Sequence, residues 1–277
     1  MGNNNQKISA CLVVYNEEKI IERCLLSIKN LVDEIIVVHD GECADKTLEI
    51  VKNYTDKIFV REHVGIAEPH RTFALLQAAG NWILQIDGDE YLDAADHIRI
   101  REMIENCSSE IDGYIFKWEM WNGKHPVYFK GLQKMCLFRK KNFFFRGIPQ
   151  EPGQVKGSVK KTDIFLHHQP LYNNISWEHF LRKTKKWTPI HARYFFPELV
   201  KYECYNTTSD KWIDYANQVT KHPLFHMAVY PLKTSLAQLK NGLWTSWIGL
   251  NLVCQTYAYY FCLHWQIWKM KKKPELS

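Results

Sequence analysis

Three carboxylates crowd around one glycine in "QIDGDEYL", residues 85–92: Asp87, Asp89 and Glu90, with Gly88 between the two aspartates. Like charges this close repel one another, so the cluster calls for a compensating cation. Aspartates spaced i, i+2 on extended backbone point to the same side. Two carboxylates converging on one point suit Mg²⁺ or Mn²⁺, hard cations that commonly keep phosphate oxygens as their other ligands. The competing reading, for such a pair taken alone, is a solvated acidic turn capping the next helix. Where the chain delivers the pair decides between the two.

The elements before it alternate in type. "ISACLVV" (8–14) is an apolar run of strand length, and Glu17–Lys29 carries Ile20, Ile21, Cys24, Leu25 and Ile28 at helical spacing. "EIIVVH" (34–39) is a second strand, Asp45 caps a helix bearing Leu48, Ile50 and Val51, and "KIFV" (57–60) is a third strand. Pro69 opens a helix to Ala79, Gly80 closes it, and "WILQI" (82–86) is a fourth strand. This order predicts an α/β fold with a mostly parallel, doubly wound sheet covered by helices on both faces. Ligands of such sheets bind beyond the carboxyl ends of the strands. There the chain places Tyr15-Asn16-Glu17, Asp40-Gly41, His63-Val64-Gly65 and Asp87-Gly88-Asp89. That shared edge favours the cation site over the acidic turn.

After residue 96 the pattern becomes mixed. Residues 97–106 read as helix, and 112–121, 133–140, 142–147 and 162–168 as strands, the last ending in His167 and His168. A basic helical stretch, 176–196, follows. Residues 243–268 contain no Asp, Glu, Lys or Arg, a length that suits a membrane span, but Asn251, Gln255, Thr256 and Gln266 interrupt it. On one helix, Leu243, Trp247, Leu250, Cys254, Tyr257, Phe261, Trp265 and Trp268 share a face, with Asn251, Gln255, Tyr259 and Gln266 opposite. "KMKKK" (269–273) follows. The expectation is a helix lying in the interface of an anionic membrane. Trp244, Trp247, Tyr257, Trp265 and Trp268 would sit at the apolar boundary, and Lys271, Lys272 and Lys273 at the headgroups. A helix packed on the core or on a dimer partner, and a true span, are the alternatives.

Composition bounds the rest. The chain has 277 residues, 46% of them hydrophobic, and a net charge of +6. The length allows one large domain with an appendage: a first domain over 1–200, divided at 95/96 into two halves, and a helical, membrane-associating region over 201–277. The charge implies anionic partners. Lys183, Lys185 and Lys186 beside Trp187 read as a solvated face or as a contact to lipid or acceptor, and nucleic acid is not expected. Eight cysteines without a C-x-x-C pair read as reduced thiols, and the N-terminus has no apolar leader. Together these place the protein in the cytoplasm, peripheral on the inner face of the cytoplasmic membrane.

The segments "ISACLVVYNEEKIIERCLLSI", "DEIIVVHDGECADKT" and "EPHRTFALLQAAGNWILQIDGDEYL" resemble glycosyltransferase family 2, with its GT-A fold. Within that family the chain is similar to bacterial lipopolysaccharide-core and other cell-envelope enzymes. "GIPQE" (147–151) resembles that group's G-x-x-H-E, as do "LHHQPLY" and the aromatic tail. The resemblance implies a nucleotide diphosphate sugar donor, UDP-linked by expectation, and a saccharide or lipid-linked acceptor. It also implies a divalent metal, Mg²⁺ or Mn²⁺, and inversion at the anomeric carbon. It assigns Tyr15, Asn16 and Glu17 to the nucleobase and ribose, Asp40 to the base, and Arg71 to the donor's phosphates or sugar. Asp87 goes to the ribose or donor sugar, Asp89 to the metal, and Glu151 becomes the catalytic base. Gln150 stands where His is expected, so an additional ligand falls to His167 or His168; a hydrogen-bonded structural role is the alternative for either. A sugar nucleotidyltransferase would need a glycine-rich basic loop after the first strand, where this chain has acidic "YNEEK". A non-catalytic membrane- or sugar-binding relative is the other alternative.

Overall fold

The computed structural model describes residues 6–149, 151–206 and 211–272. Gln150 and Lys273 lie outside the described residues. Two compact units emerge. One draws its described residues from Met1–Glu119, Leu132–Leu171 and Glu203–Thr207, the other from Met120–Gly131, Tyr172–Tyr202 and Thr208–Ser277.

The first unit is built on an eight-stranded sheet. In chain order its elements are β1 (Ile8–Val14), α1 (Ile21–Ile28), β2 (Glu34–Asp40), α2 (Thr47–Val51), β3 (Ile58–Arg61), α3 (Glu68–Gln77), β4 (Trp82–Gln85), β5 (Glu90–Tyr91), α4 (His97–Glu105) and β6 (Ile111–Trp118). The short hairpin β7 (Met120–Trp121) and β8 (Pro126–Val127) belongs to the second unit. β9 (Gln133–Arg139), β10 (Phe143–Phe144), β11 (Gln154–Val155) and β12 (Ser158–His168) return to the first. The sheet order is β3-β2-β1-β4-β9-β6-β12-β5. β1 pairs in parallel with β2 and β4, and β2 with β3, as the alternating pattern requires. β9 runs antiparallel between β4 and β6, and β5 pairs antiparallel with the end of β12.

Both faces are covered. Ile8, Ala10, Leu12 and Val14 alternate along β1 toward α1 and α4, where they pack with Ile21, Leu25, Ile28 and Ile100. Cys11 faces the other way, toward Ala74 and Leu75 of α3 with Ile36 and Val38 of β2. Each large aliphatic side chain buried in this way contributes about 1.5–3 kcal/mol.

The expected elements shift in three informative places. The first helix starts at Ile21 rather than Glu17, because the intervening backbone is held as a loop. The Glu17 N–H donates to Thr47 Oγ1 (2.6 Å) and the Glu18 N–H to Asp45 Oδ2 (3.1 Å). The strand expected over 142–147 shrinks to Phe143–Phe144, and Phe145 instead bridges to Tyr205. The strand expected over 162–168 begins at Ser158.

The second unit is helical: α5 (Trp177–Arg193), α6 (Lys211–Lys221), α7 (Pro223–Lys240) and α8 (Trp247–Lys272). Its core gathers Ala192, Phe195, Ala216, Val219, Leu263 and Ile267. Leu243 leaves the apolar face expected of it. Gly242, at φ +92°, breaks the chain direction, and Leu243 is buried in a short 3₁₀ turn before α8 begins. No helix among the described residues is long and apolar enough to cross a membrane. All eight cysteines are unpaired.

Candidate active site

The loop after β1 is latched to the one after β2. Asn16 adopts φ +51°, its N–H donates to His39 Nε2 (3.3 Å), and its Oδ1 accepts from the Ala44 N–H (2.9 Å). The buried His39 ring is fixed at its other nitrogen by the Gly41 carbonyl (2.7 Å). The Tyr15 ring lies 4.8 Å from that of His63.

Asp40, at the end of β2, is buried and held by several donors. Its Oδ1 accepts from the Val64 N–H (2.6 Å) and His70 Nε2 (2.8 Å); its Oδ2 accepts from the Gly65 N–H (2.9 Å) and meets His63 Nδ1 at 3.2 Å. Burial favours the neutral acid, but the bonds from His70, Val64 and Gly65 outweigh it and hold the carboxyl below its ordinary range. His63 Nδ1 also lies 3.1 Å from the Asp40 backbone carbonyl; both of its partners are acceptors, so Nδ1 donates, and in the tautomer with one ring proton Nε2 is an acceptor.

The two aspartates after β4 have different partners. Asp87 is clamped by two cations, Arg71 Nη2 on Oδ1 (2.7 Å) and Lys134 Nζ on Oδ2 (2.8 Å). Lys134 also reaches both oxygens of Glu90 (2.8 and 2.7 Å). Glu90 is itself buried, accepting from Trp118 Nε1 (2.7 Å) and the Asp87 N–H (2.9 Å). Burial opposes ionisation of Asp87, yet Arg71 and Lys134 hold it far below the usual carboxylate range. For Glu90 burial prevails over Lys134 and its carboxyl is raised. Burial likewise works against the Lys134 ammonium, and Asp87 and Glu90 reverse it, so Lys134 stays charged.

Asp89 turns to a different neighbour. Its Oδ2 stands 3.2 Å from His168 Nε2, and its carbonyl accepts from the Gln169 N–H (2.9 Å). The His168 ring stacks on Trp118 at 4.5 Å. His167, the next residue on β12, bonds elsewhere: Nδ1 to Glu119 (2.8 Å) and Nε2 to Asp93 (3.1 Å). Alternation along a strand separates the two histidines, and only His168 joins Asp89. Among the described residues no group of three or more His, Cys, Asp or Glu is arranged to hold a metal ion.

Glu17 adds a third acid. A Cβ on Gly88 would fall 1.8 Å from Glu17 Oε2, so the glycine makes room for this carboxylate between Asp87 and Asp89. Glu17 Oε2 is buried without a hydrogen-bond partner. Burial, then the charges of Asp89 and Asp87, raise its carboxyl well above the ordinary value. Among the described residues this leaves a buried carboxylate oxygen without a hydrogen-bond partner beside two aspartates.

Glu151 follows a glycine turn. Gly147 sits at φ +66°, where a Cβ would meet the Glu203 carbonyl and Thr72 Oγ1, both at 2.6 Å. The turn therefore rests on α3, one residue from Arg71. Glu151 pairs with Arg146 through Oε1, while Oε2 is buried without a hydrogen-bond partner among the described residues. Burial raises its carboxyl despite the Arg146 charge.

With that geometry in view, the chain's relatives can be named. Residues 9–164 match the profile of Glycosyl transferase family 2. The chain belongs to glycosyltransferase family 2. It is 32% identical over 266 residues to the lipopolysaccharide core biosynthesis glycosyltransferase LpsC of Rhizobium meliloti (strain 1021), covering 91% of this chain and 88% of that one. It is 32% identical over 174 residues to an uncharacterized glycosyltransferase of Rickettsia typhi (strain ATCC VR-144 / Wilmington), covering 61% of this chain. The chain spans only 54% of that relative's length. Among solved structures, S. aureus TarS 1-349 in complex with UDP-GlcNAc is 14% identical, with TM-score 0.46, over 98% of this chain and 92% of that one.

Sequence reasoning missed Lys134, and it left Glu90 without a role. The signal for Lys134 was present: a lysine inside the apolar strand "QKMCLF" is buried only against acids.

Proposed function

We propose that this family 2 chain transfers a sugar, with inversion, from a nucleotide diphosphate sugar to a saccharide or lipid-linked acceptor at an anionic membrane face. The observation that carries the reading is the division between two aspartates one residue apart. Asp87 is fixed by Arg71 and Lys134, whereas the Asp89 carboxylate, among the described residues, is paired with His168 alone.

The donor set of Asp89 and His168, with the unpartnered Glu17 oxygen nearby, fits Mn²⁺ or Mg²⁺ completed by diphosphate oxygens. Such an ion, when bound, neutralises charge on the leaving diphosphate. Arg71, adjoining on α3, adds a fixed positive charge to the same region. Glu151 takes the proton of the acceptor hydroxyl, and its raised carboxyl makes it a better base than an ordinary glutamate. With one base and no enzyme nucleophile, attack comes opposite the leaving group and the anomeric carbon inverts.

The nucleobase rests against Tyr15. Asp40, tied to the His63–Gly65 segment through its backbone carbonyl and its carboxylate, serves the base by orienting His63, whose Nε2 accepts a ring N–H. Uracil, thymine and guanine offer such a donor and cytosine does not, which is compatible with a UDP-sugar and disfavours a CMP-sugar.

Membrane attachment rests on α8. Trp247, Leu250, Tyr257, Phe261 and Trp265 are exposed along one side, and Trp244 just before it is exposed too. Asn251 and Gln255 turn inward and both donate to the Ile175 carbonyl (3.0 and 2.8 Å). Lys272 lies over Trp268 at the basic end. A helix with its amides inside and its aromatics outside fits a bilayer interface.

A thermal-shift and turnover screen of UDP-, GDP-, CMP- and dTDP-sugars with Mn²⁺ tests the donor. Stabilisation by UDP-sugars with slow donor hydrolysis is expected, and hydrolysis is lost in Glu151→Gln while donor binding persists. No response to any nucleotide sugar would overturn the reading.

A further inference from the structure

The helical unit carries a second inverted helix, one that its sequence pattern did not single out. On α7, Leu224, Phe225, Val229, Leu232 and Leu236 are 52, 63, 43, 54 and 56% exposed. Phe225, Val229, Leu232 and Leu236 follow at i, i+4, i+7 and i+11, a continuous stripe on one helical face. Two polar side chains, Ser235 and Gln238, point the other way, into α8. Ser235 is buried with Oγ 3.5 Å from the Val253 carbonyl, and Gln238 Nε2 donates to Thr256 Oγ1 at 2.8 Å. A surface helix in water has the reverse arrangement.

Charge narrows what covers the stripe. From residue 221 through 273 the chain has seven lysines and no aspartate or glutamate. Lys233 is exposed beside Leu232, Lys240 is exposed at the end of α7, and Lys221 is exposed at the end of α6 just before it. Two copies of this face would bring like charges together, which disfavours a symmetric dimer. A cation in mid-stripe also disfavours insertion across a bilayer. It suits a helix lying in the plane of the headgroups, with stems in the apolar boundary and ammonium groups on anionic lipid.

We infer that the outward face of α7 is a membrane-docking surface for an anionic bilayer, seating Phe225, Val229, Leu232 and Leu236 among the lipids with Lys233 and Lys240 on their headgroups. The inference rests on the reading of the helical unit as membrane-facing, and it adds an element independent of α8.

The test is co-sedimentation of the full chain with vesicles of phosphatidylglycerol and phosphatidylcholine, and with phosphatidylcholine alone. The comparison is the variant Phe225→Ser/Leu232→Ser/Leu236→Ser, with Lys233→Glu/Lys240→Glu as a second. All five side chains are exposed, so unchanged melting temperatures are expected. The native chain should sediment with the anionic vesicles only, and each variant should lose at least tenfold in apparent affinity. Equal binding by native chain and variants would remove α7 as the dock while leaving membrane attachment through α8 intact. Absence of binding by the native chain would overturn both. Sedimentation equilibrium without lipid supplies the remaining outcome: a dimer that the serine variant dissociates would make a second copy the occupant and refute the bilayer.

Discussion

Lys134 is the residue on which the site's electrostatics turn. It satisfies Asp87 and Glu90 together, in a place where neither carboxylate has enough other donors. Removing it strands a buried charge. Lys134→Met is therefore expected to cost about 3–5 kcal/mol in urea unfolding, with partial recovery when Glu90→Gln is added. A loss below about 1 kcal/mol would contradict the buried tetrad. Asp40 gives a pH signature. Its folded carboxyl lies below the ordinary value of about 3.9, so its stabilisation is complete above that value and is lost as pH falls through the folded one. Asp40→Asn should thus show its largest deficit in urea midpoint above about pH 4, narrowing in more acid solution. A pH-independent deficit would mean that the ionised form is not what the His70, Val64 and Gly65 bonds hold.

At the scale of elements, two glycines separate backbone from side-chain constraint. The Cβ of Gly147→Ala would run into the fixed Glu203 carbonyl at a left-handed φ, so about 1–3 kcal/mol of stability should be lost and the Glu151 loop displaced. Gly88→Ala meets the ends of two side chains and no backbone, Glu17 Oε2 at 1.8 Å and Ile21 Cδ1 at 3.2 Å. Its unfolding midpoint should change little while Mn²⁺-dependent nucleotide binding weakens, as calorimetry would register. The parallel half of the sheet was legible because each of β1, β2, β3 and β4 is a short apolar run followed by a helical pattern. β9 and β5 were not legible as antiparallel members: strand direction depends on connections that apolar periodicity does not encode. The latched loop at Asn16–Glu18 was hidden for a related reason. Its helix-like spacing is overridden by Thr47 and Asp45, which lie about thirty residues away in the chain.

For the whole molecule, the residues that could do chemistry were largely visible in advance, because they stand at one edge of one sheet. The charge that balances them was not. Lys134 comes from a strand far along the chain, and its pairing exists only once β9 is inserted between β4 and β6. The helical unit behaves differently. Its apolar side was readable on α8, but α7 mixes lysines with leucines and shows its polarity only after packing. Leu263 and Ile267 of α8 form part of that unit's core, so truncation before residue 243 would unfold it, and point substitutions are the proper test. Vesicle binding by the full chain should weaken steeply between about 0.1 and 1 M salt, as the Debye length falls from roughly 10 to 3 Å. Salt-insensitive sedimentation would assign attachment to the aromatic side chains alone.

The proposed chemistry depends most directly on the separate tasks of Asp87 and Asp89. Calorimetric titration of UDP, with and without Mn²⁺, measures it in native protein, Asp89→Ala and His168→Ala. The native chain should bind UDP at least tenfold more tightly with Mn²⁺, and both variants should lose that increment while keeping the metal-free affinity. Binding that is indifferent to Mn²⁺ in the native chain, or an increment that survives in Asp89→Ala, would contradict the assignment.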